Sequence, residues 1–308
     1  MLNTDKTVLI SGATERQGGA VVRHVLTRGW RLRALTRQCG SYAAQQLADQ
    51  GVELVKGDLE DPASLECAVR SVYGVYSVQD FWAVGARREV QQGKNLAEAA
   101  KQAGVEHFVY SSVGGAERNS GIDHWESKWE IERHIRKLGL PATMLRPVAF
   151  MENYYIDQVE IGILKGKLMD PVRPDKPYQT IAAEDIGAFA ALAFERPKEF
   201  IGLELEIAGS ELTNPETAAA FSRVLGRPVK FQQLPMPIVR LVLGKEFYQM
   251  FRWLNREGFR ANVEELRRRY PEVGLQTLEQ WLRSEGWDKR GRRVRPPRAS
   301  GAEQIQPA

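Results

Sequence analysis

The chain of 308 residues is 43% hydrophobic and 27% charged, the balance of a globular protein with one or two domains. It holds no run of about 18 apolar residues, no basic-then-apolar leader, and only Cys39 and Cys67 as cysteines, so a membrane span, a disulfide framework and a metal site are not expected and a cytoplasmic protein is. The net charge is +4, but six basic residues and one acid lie from residue 289 on; taking away that +5 leaves the body at −1, without the basic excess of a nucleic-acid binder.

The first half alternates short β-branched runs with helix-period segments. Residues 6–11, 31–36, 52–55, 74–78, 107–111 and 142–145 read as strands covered on both faces. Helix patterns fall between them at about 17–28, 41–50, 63–70, 86–103 and 124–137. Gly29, Gly51, Gly104 and Gly139 stand where four of these helices would end. Right-handed crossovers then require a doubly wound parallel sheet. After Pro147 the rhythm breaks, and Pro171, Pro174 and Pro177 predict excursions from the sheet. Helices are predicted over 184–195, 215–225, 246–257, 262–270 and 275–285, and strands over 203–208 and 229–233. The expected organisation is α/β: a main domain over 1–150 with sheet elements returning near 180–210, a smaller domain over 151–287, and a basic disordered tail over 288–308.

The first strand runs through Ser11 into Gly12-Ala13-Thr14-Glu15-Arg16-Gln17-Gly18-Gly19 and then a helix. A glycine turn between a first strand and a helix N-terminus aims backbone N–H groups and the positive end of the helix dipole at a pyrophosphate. Gly12 would make the tight turn, and Gly18 would let helix and strand pack closely. Between them, where a glycine is usual, stands Glu15. Its carboxylate about 4 Å from a phosphate would cost roughly 4 kcal/mol at an effective dielectric near 20. A need for positive φ would add about 1–2 kcal/mol, whereas a side chain turned to solvent or paired with Arg16 costs much less. The reading is a nucleotide bound weakly because of Glu15; the alternative is a turn that no longer binds one. The second strand ends in Arg37, with no acid for a ribose 2′-hydroxyl, and a guanidinium there can pair with a 2′-phosphate. A plain surface arginine is the alternative. Ser41 would add a hydroxyl, and Asp58 and Leu59 follow the third strand where a side chain can reach an adenine edge. Cys39 nearby is expected to be an inert thiol.

Several segments together carry a resemblance: Gly12-Ala13-Thr14 with Gln17-Gly18-Gly19, Leu35-Thr36-Arg37, Lys56-Gly57-Asp58-Leu59, Ser77-Val78-Gln79-Asp80-Phe81-Trp82, Tyr110-Ser111-Ser112-Val113-Gly114-Gly115, Ser127-Lys128-Trp129-Glu130, Leu145-Arg146-Pro147 and Leu278-Glu279-Gln280-Trp281. The chain resembles the NmrA-like family of atypical short-chain dehydrogenases over nearly its whole length. The resemblance implies a Rossmann domain with a smaller C-terminal α/β cap domain and NADP(H) as cofactor. It implies that Arg37, Asp58, Gln79, Asp80 and Phe81 line the adenosine half, that Lys128 holds the nicotinamide ribose, and that Phe150, Met151, Glu152 and Asn153 wall the nicotinamide.

Most short-chain dehydrogenases use Tyr-x-x-x-Lys, a phenol proton donor tuned by a lysine one helical turn on; here the pair is His124-x-x-x-Lys128. If the chain is a reductase, Lys128 and His124 are the catalytic candidates, since imidazole moves protons near neutral pH; a histidine that only packs is the bland alternative. Trp125 and Trp129 share a face and are expected to pack, and His24, His107 and His134 show no ligand spacing. The family includes NADP(H)-sensing regulators that bind partner proteins, and reductases of quinones or dyes. The missing tyrosine and the weakened loop favour a redox-sensing regulator; the alternative is an NAD(P)H-dependent oxidoreductase acting on a quinone-like or other small carbonyl acceptor. The expected partners are NADP(H), a regulatory protein and a second copy of the chain as a homodimer, with nucleic acid touched only weakly through the basic tail.

Overall fold

Each strand of the first half leads into a helix that carries the chain back to begin the next strand, as its β-branched runs and capped helix starts require. The computed structural model describes residues 5–290. In chain order the elements begin β1 (Thr7–Ile10), α1 (Arg16–Leu26), β2 (Arg31–Thr36), α2 (Tyr42–Ala48), β3 (Glu53–Lys56), α3 (Pro62–Ala68) and β4 (Gly74–Ser77). Then come α4 (Phe81–Val84), α5 (Ala86–Gln102), β5 (His107–Ser111), α6 (Asp123–Lys137) and β6 (Ala142–Pro147). β7 (Ala149–Phe150), α7 (Asp157–Leu164), β8 (Lys167–Asp170) and β9 (Pro177–Ile181) precede α8 (Ala183–Glu195), α9 (Pro197–Phe200) and β10 (Glu204–Ile207). The last described elements are β11 (Ser210–Thr213), α10 (Asn214–Leu225), β12 (Lys230–Gln233), α11 (Met236–Val242), α12 (Gly244–Arg256), α13 (Val263–Arg269), α14 (Leu278–Ser284) and α15 (Trp287–Arg290).

Two units divide the chain. The first holds the residues up to Asn119, Asp123–Pro147 and Ala183–Glu206. Its sheet has the order β10-β6-β5-β4-β1-β2-β3, and β1 pairs parallel with both β2 and β4. The chain therefore winds outwards from β1 through β2 to β3, then restarts at β4 and winds the other way. That reversal opens a crevice beyond the carboxyl ends of β1 and β4, where open α/β sheets take ligands. The predicted strands match the six here to within two residues at either end, and Ser41 and Asp61 cap α2 and α3 through their side chains. The predicted stop glycines all take positive φ, between +61° and +85°.

One face of this sheet is covered by α3, α5 and α6, with Leu9, Val75, Leu96, Phe108, Ile131 and Ile135 fully buried. Helix α1 packs directly on α8. A Cβ at Gly187 would lie 2.6 Å from the backbone carbon of Ala20, so the two helices meet backbone to backbone. Glu184 of α8 adds an ion pair with Arg23 and a 3.1 Å contact with His24; His24 first, then Arg23, holds its carboxyl down at about 2. The sheet edge is tied by Arg146 of β6, which donates to both oxygens of fully buried Glu132 at 2.9 and 2.7 Å and to Glu204 at 2.7 Å.

The second unit holds Ser120–Ile122, Val148–Ala182 and the residues from Ile207 on. It contains a three-stranded sheet, β11-β9-β7, and a parallel pair, β12-β8. Its core gathers Met151, Tyr154, Phe221, Trp281, Leu282 and Trp287. Strands β7, β8, β9 and β11 and helices α7 and α11 were not read from the sequence. The predicted helix over 275–285 starts later, at Leu278, because Thr277 and Gln280 form a capping box. The predicted tail is corrected at its start. Residues 287–290 form a helical turn whose indole, Trp287, is fully buried, and Arg290 bonds Glu160 at 2.5 Å and lies 4.5 Å over the Tyr155 ring. The rest of the predicted tail, 291–308, lies outside the described residues.

Two stability predictions follow from these contacts. A Gly-to-Ala change inside a helix ordinarily gains about 1 kcal/mol, but Gly187→Ala is expected to lose about 1–3 kcal/mol in urea unfolding because the methyl meets backbone that cannot yield. An unchanged midpoint would show that α1 and α8 separate freely. In the second unit, burial pushes the carboxyl of Asp170 up to about 6, against hydrogen bonds from Val172 N–H and Asn214 that favour its ionised form. A folded value above the ordinary 3.8 means that the folded state gains stability as pH falls from above 6 towards 4, and loses it as pH rises through 6. Asp170→Asn should therefore be more stable than the parent at about pH 7.5, by on the order of 1–2 kcal/mol, with the gap closed near pH 4. A gap that stays constant with pH rules this out.

Candidate functional site

The turn after β1 is shaped by two missing side chains. Gly12 takes φ +63°, open to glycine at little cost, and its carbonyl accepts from the Glu15 N–H at 2.9 Å. Gly18, in the first turn of α1, sits against that carbonyl: a Cβ there would lie 2.5 Å from the Gly12 carbonyl carbon, closer still to its oxygen, and 2.9 Å from the Ala13 nitrogen. Only glycine lets α1 begin this close to the strand. Ser11 fastens the turn to the neighbouring strand, its Oγ accepting from the Val78 N–H at 2.9 Å.

Glu15 is the N-cap residue of α1, at φ −89° and ψ 170°, and its side chain is exposed without capping the helix. Glu15 does not take positive φ, so the strain that would have come with it is absent. What remains against an anion is charge alone, screened by water. Thr14 and Arg16 are exposed beside it, and Ala13 is buried. Gln17 behaves differently from its neighbours. Its amide points inwards and donates to the Tyr76 hydroxyl at 2.7 Å and to Ser111 Oγ, so its side chain braces α1 on β4 and β5.

Arg37 follows the end of β2, exposed, with no carboxylate within ion-pair distance among the described residues. Its charge is felt by Glu60, whose carboxyl lies below the usual range chiefly through hydrogen bonds from Arg88 and Gln92. Ser41 Oγ is engaged as the cap of α2, accepting from Ala44 N–H at 3.3 Å. Asp58 accepts the Glu60 N–H at 2.9 Å and so shapes the turn after β3, while Leu59 leans on the core. Gln79 is buried after β4, its Nε2 donating to Ser77 Oγ at 2.9 Å; its Oε1 has no hydrogen-bond partner among the described residues. Asp80 caps α4, accepting from the N–H groups of Trp82 and Ala83.

Phe81 and Trp82 form a T-shaped pair 5.1 Å apart, and both lie against the His124 ring, at 5.5 and 5.2 Å. His124 is 1% exposed. The histidine that replaces the usual tyrosine thus packs beneath aromatic rings. Lys128, one turn on, donates to Glu89 Oε1 at 2.8 Å with its side chain 11% exposed. Trp125 is buried, as its face predicts, and Trp129 is stacked by Arg136 at 4.6 Å. The other histidines are engaged structurally: His24 with Glu184, His134 with Glu98 at 2.9 Å, and His107 with Thr143 at 2.8 Å, its pKa pushed down to about 4 by burial. Phe150, Met151, Glu152 and Asn153 belong to the second unit. Phe150 is in β7, the other three are in the 3-10 turn that follows, and Met151 is a fully buried member of that unit's core.

The NmrA-like family profile matches residues 4–282. The chain belongs to this family. Among curated relatives, the NAD(P)H azoreductase of Xenophilus azovorans is 31% identical over 224 residues, 73% of this chain and 76% of the relative. The nitrogen metabolite repression protein nmrA of Emericella nidulans is 28% identical over 250 residues, 76% of this chain and 70% of the relative. Two solved structures show the shared fold: an NADPH-dependent quinone oxidoreductase of Escherichia coli complexed with NADPH (TM-score 0.77, 23% identity, 90% of this chain and 99% of that one), and the negative transcriptional regulator Nmra in complex with NADP (TM-score 0.74, 21% identity, 94% and 97%).

For this NmrA-like chain the sequence singled out the glycine loop, Arg37, Gln79 and Lys128, all in the first unit. It missed Ser11, whose neighbours in the chain say nothing of Val78, and Glu89, which looked like one charge in the helix-period run of α5. No spacing signal could have found either, because each acts on a partner far away in sequence. Among the described residues no group of three or more His, Cys, Asp or Glu could hold a metal ion, and no helix is long and apolar enough to cross a membrane.

Proposed function

We propose that this NmrA-like protein binds NADP(H) in its first unit and works as a redox-sensing regulator without conventional dehydrogenase catalysis. The observation that carries the binding reading is the close packing of Gly18 on the Gly12 carbonyl, which only glycine allows and which sets the N-terminal N–H groups of α1 at the end of β1, where they can face a pyrophosphate. The lone Gln79 Oε1 supports it, since an adenine amine is a donor of the kind that atom lacks. Arg37, free of carboxylates, supports a 2′-phosphate over a bare hydroxyl. Lys128 would donate to the nicotinamide ribose. When bound, the cofactor brings its nicotinamide in the oxidised or reduced form; the chain's own residues bind and orient it.

The sensing reading is supported by His124, shielded beneath Phe81 and Trp82 and so poorly placed to deliver a proton. A partner protein would then read which form is bound. Identity of 31% to an NAD(P)H azoreductase favours a second reading, reduction of a quinone-like or azo acceptor that needs little acid from the protein. Two free cysteines support a cytoplasmic setting.

Calorimetry with NADP+ and NAD+ tests the binding. Arg37→Ala is expected to weaken NADP+ by about 10–100-fold, the worth of a charged hydrogen-bonded pair, and NAD+ by less than about 3-fold; equal losses would sink the 2′-phosphate assignment. NADPH consumption with quinones, aldehydes and azo dyes decides between the readings: saturable turnover that Lys128→Ala abolishes makes the protein a reductase. Weak binding through Glu15 has its own check. With strain absent, Glu15→Gln should tighten NADP+ by roughly 2–5-fold through removal of a screened charge, and no gain from it would refute the claim that Glu15 weakens the site.

A further inference from the structure

Glu89 lies in the first turn of α5 and is completely shielded from solvent. Both its oxygens are engaged by adjacent residues of α6: Oε1 accepts from Lys128 Nζ at 2.8 Å, and Oε2 accepts from Ser127 Oγ. A carboxylate so deep is tolerated only when its charge is answered. The spacing between the two helices is set again one turn further along. One turn along α5, a Cβ at Gly93 would lie 2.6 Å from Ile131 Cδ1, so no slack exists there, and Lys94 bonds Glu130 at 2.6 Å. Tyr110 of β5 feels the same buried charge: burial, then Glu89 and Glu132, raises its phenol well above the ordinary value.

This arrangement is more than an ion pair between helices. A lysine has a long, rotamer-rich stem, and ordering it at the moment of binding would subtract from affinity. Here the stem is ordered before any ligand arrives. One of the three ammonium donors is held by Glu89, and part of the side chain remains open to solvent. We infer that Glu89 is a positioning residue, which holds the Lys128 ammonium ready to donate to the vicinal hydroxyls of the nicotinamide ribose.

The inference rests on the NADP(H) reading above, and two ligands separate the two. NADPH carries the nicotinamide ribose; 2′,5′-ADP carries only the adenosine half. By calorimetry, Glu89→Gln is expected to weaken NADPH about 10-fold and 2′,5′-ADP by less than 2-fold, with Glu89→Asp, which keeps the charge at shorter reach, falling in between. In a Lys128→Met background, Glu89→Gln should change NADPH affinity by less than 2-fold, because the group it positions is gone. A structural role alone would instead lower both ligands together and act equally in the two backgrounds. Equal loss of both ligands, tighter NADPH binding by Glu89→Gln, or additive effects in the double variant would each overturn the inference. NADPH binding that Lys128→Met leaves unchanged would overturn it through Lys128, with the NADP(H) reading intact. A parent protein that binds neither ligand would overturn both.

Discussion

Helix α1 is confined on two sides by backbone, and the rest of the first unit is arranged around that confinement. At its start, Gly18 abuts the carbonyl of Gly12; two residues on, Ala20 abuts Gly187 of α8. Neither contact has room for a methyl group. A helix held this way cannot slide or tilt to accommodate a ligand, so its N-terminal N–H groups stay where the turn after β1 puts them. Gln17 adds a third constraint from beneath, bonded to Tyr76 and Ser111 on two different strands. Anion binding at a helix N-terminus depends on such fixed geometry, because dipoles that must reorient on binding lose much of their advantage.

Helix α6 is held by a different means, buried charge. Glu89 engages its Ser127 and Lys128, and its own Glu132 is engaged by Arg146 of β6. Both carboxylates are fully shielded, and Tyr110 lies within reach of both charges. Ion pairs of this kind contribute little net stability when compared with a well-packed apolar core, but they are costly to break on one side only. Their effect is to select one position of α6 over its neighbours. That helix carries both His124 and Lys128, so its position decides where an amine meets solvent and where an imidazole does not.

Much of this was legible in the sequence because local rules governed it. Strand and helix periods gave the first unit nearly residue by residue, and glycines at helix ends took the conformations their places demanded. Glu15 shows a limit of local reasoning: whether the missing glycine implied strain turned on a φ the sequence does not give, and the backbone there is extended, so any residue fits. Gln17 shows another, since a residue noted only as part of the glycine motif turned out to be a brace between strands. The second unit was harder to read. Its strands are short, and β7 gains its partner β9 only from a segment some thirty residues further on. Such pairings leave no periodic trace.

The final helical turn among the described residues has a practical consequence for anyone shortening or tagging this protein. Trp287 fills the second core from the final helical turn, and Arg290 closes over Tyr155 after it. A truncation placed just before Trp287 would leave a hole the size of an indole, a loss of about 3–5 kcal/mol out of a total that for most domains is only about 5–15 kcal/mol. A cut after Arg290 keeps both of these contacts. Four residues thus separate a boundary that keeps these contacts from one that endangers the second unit.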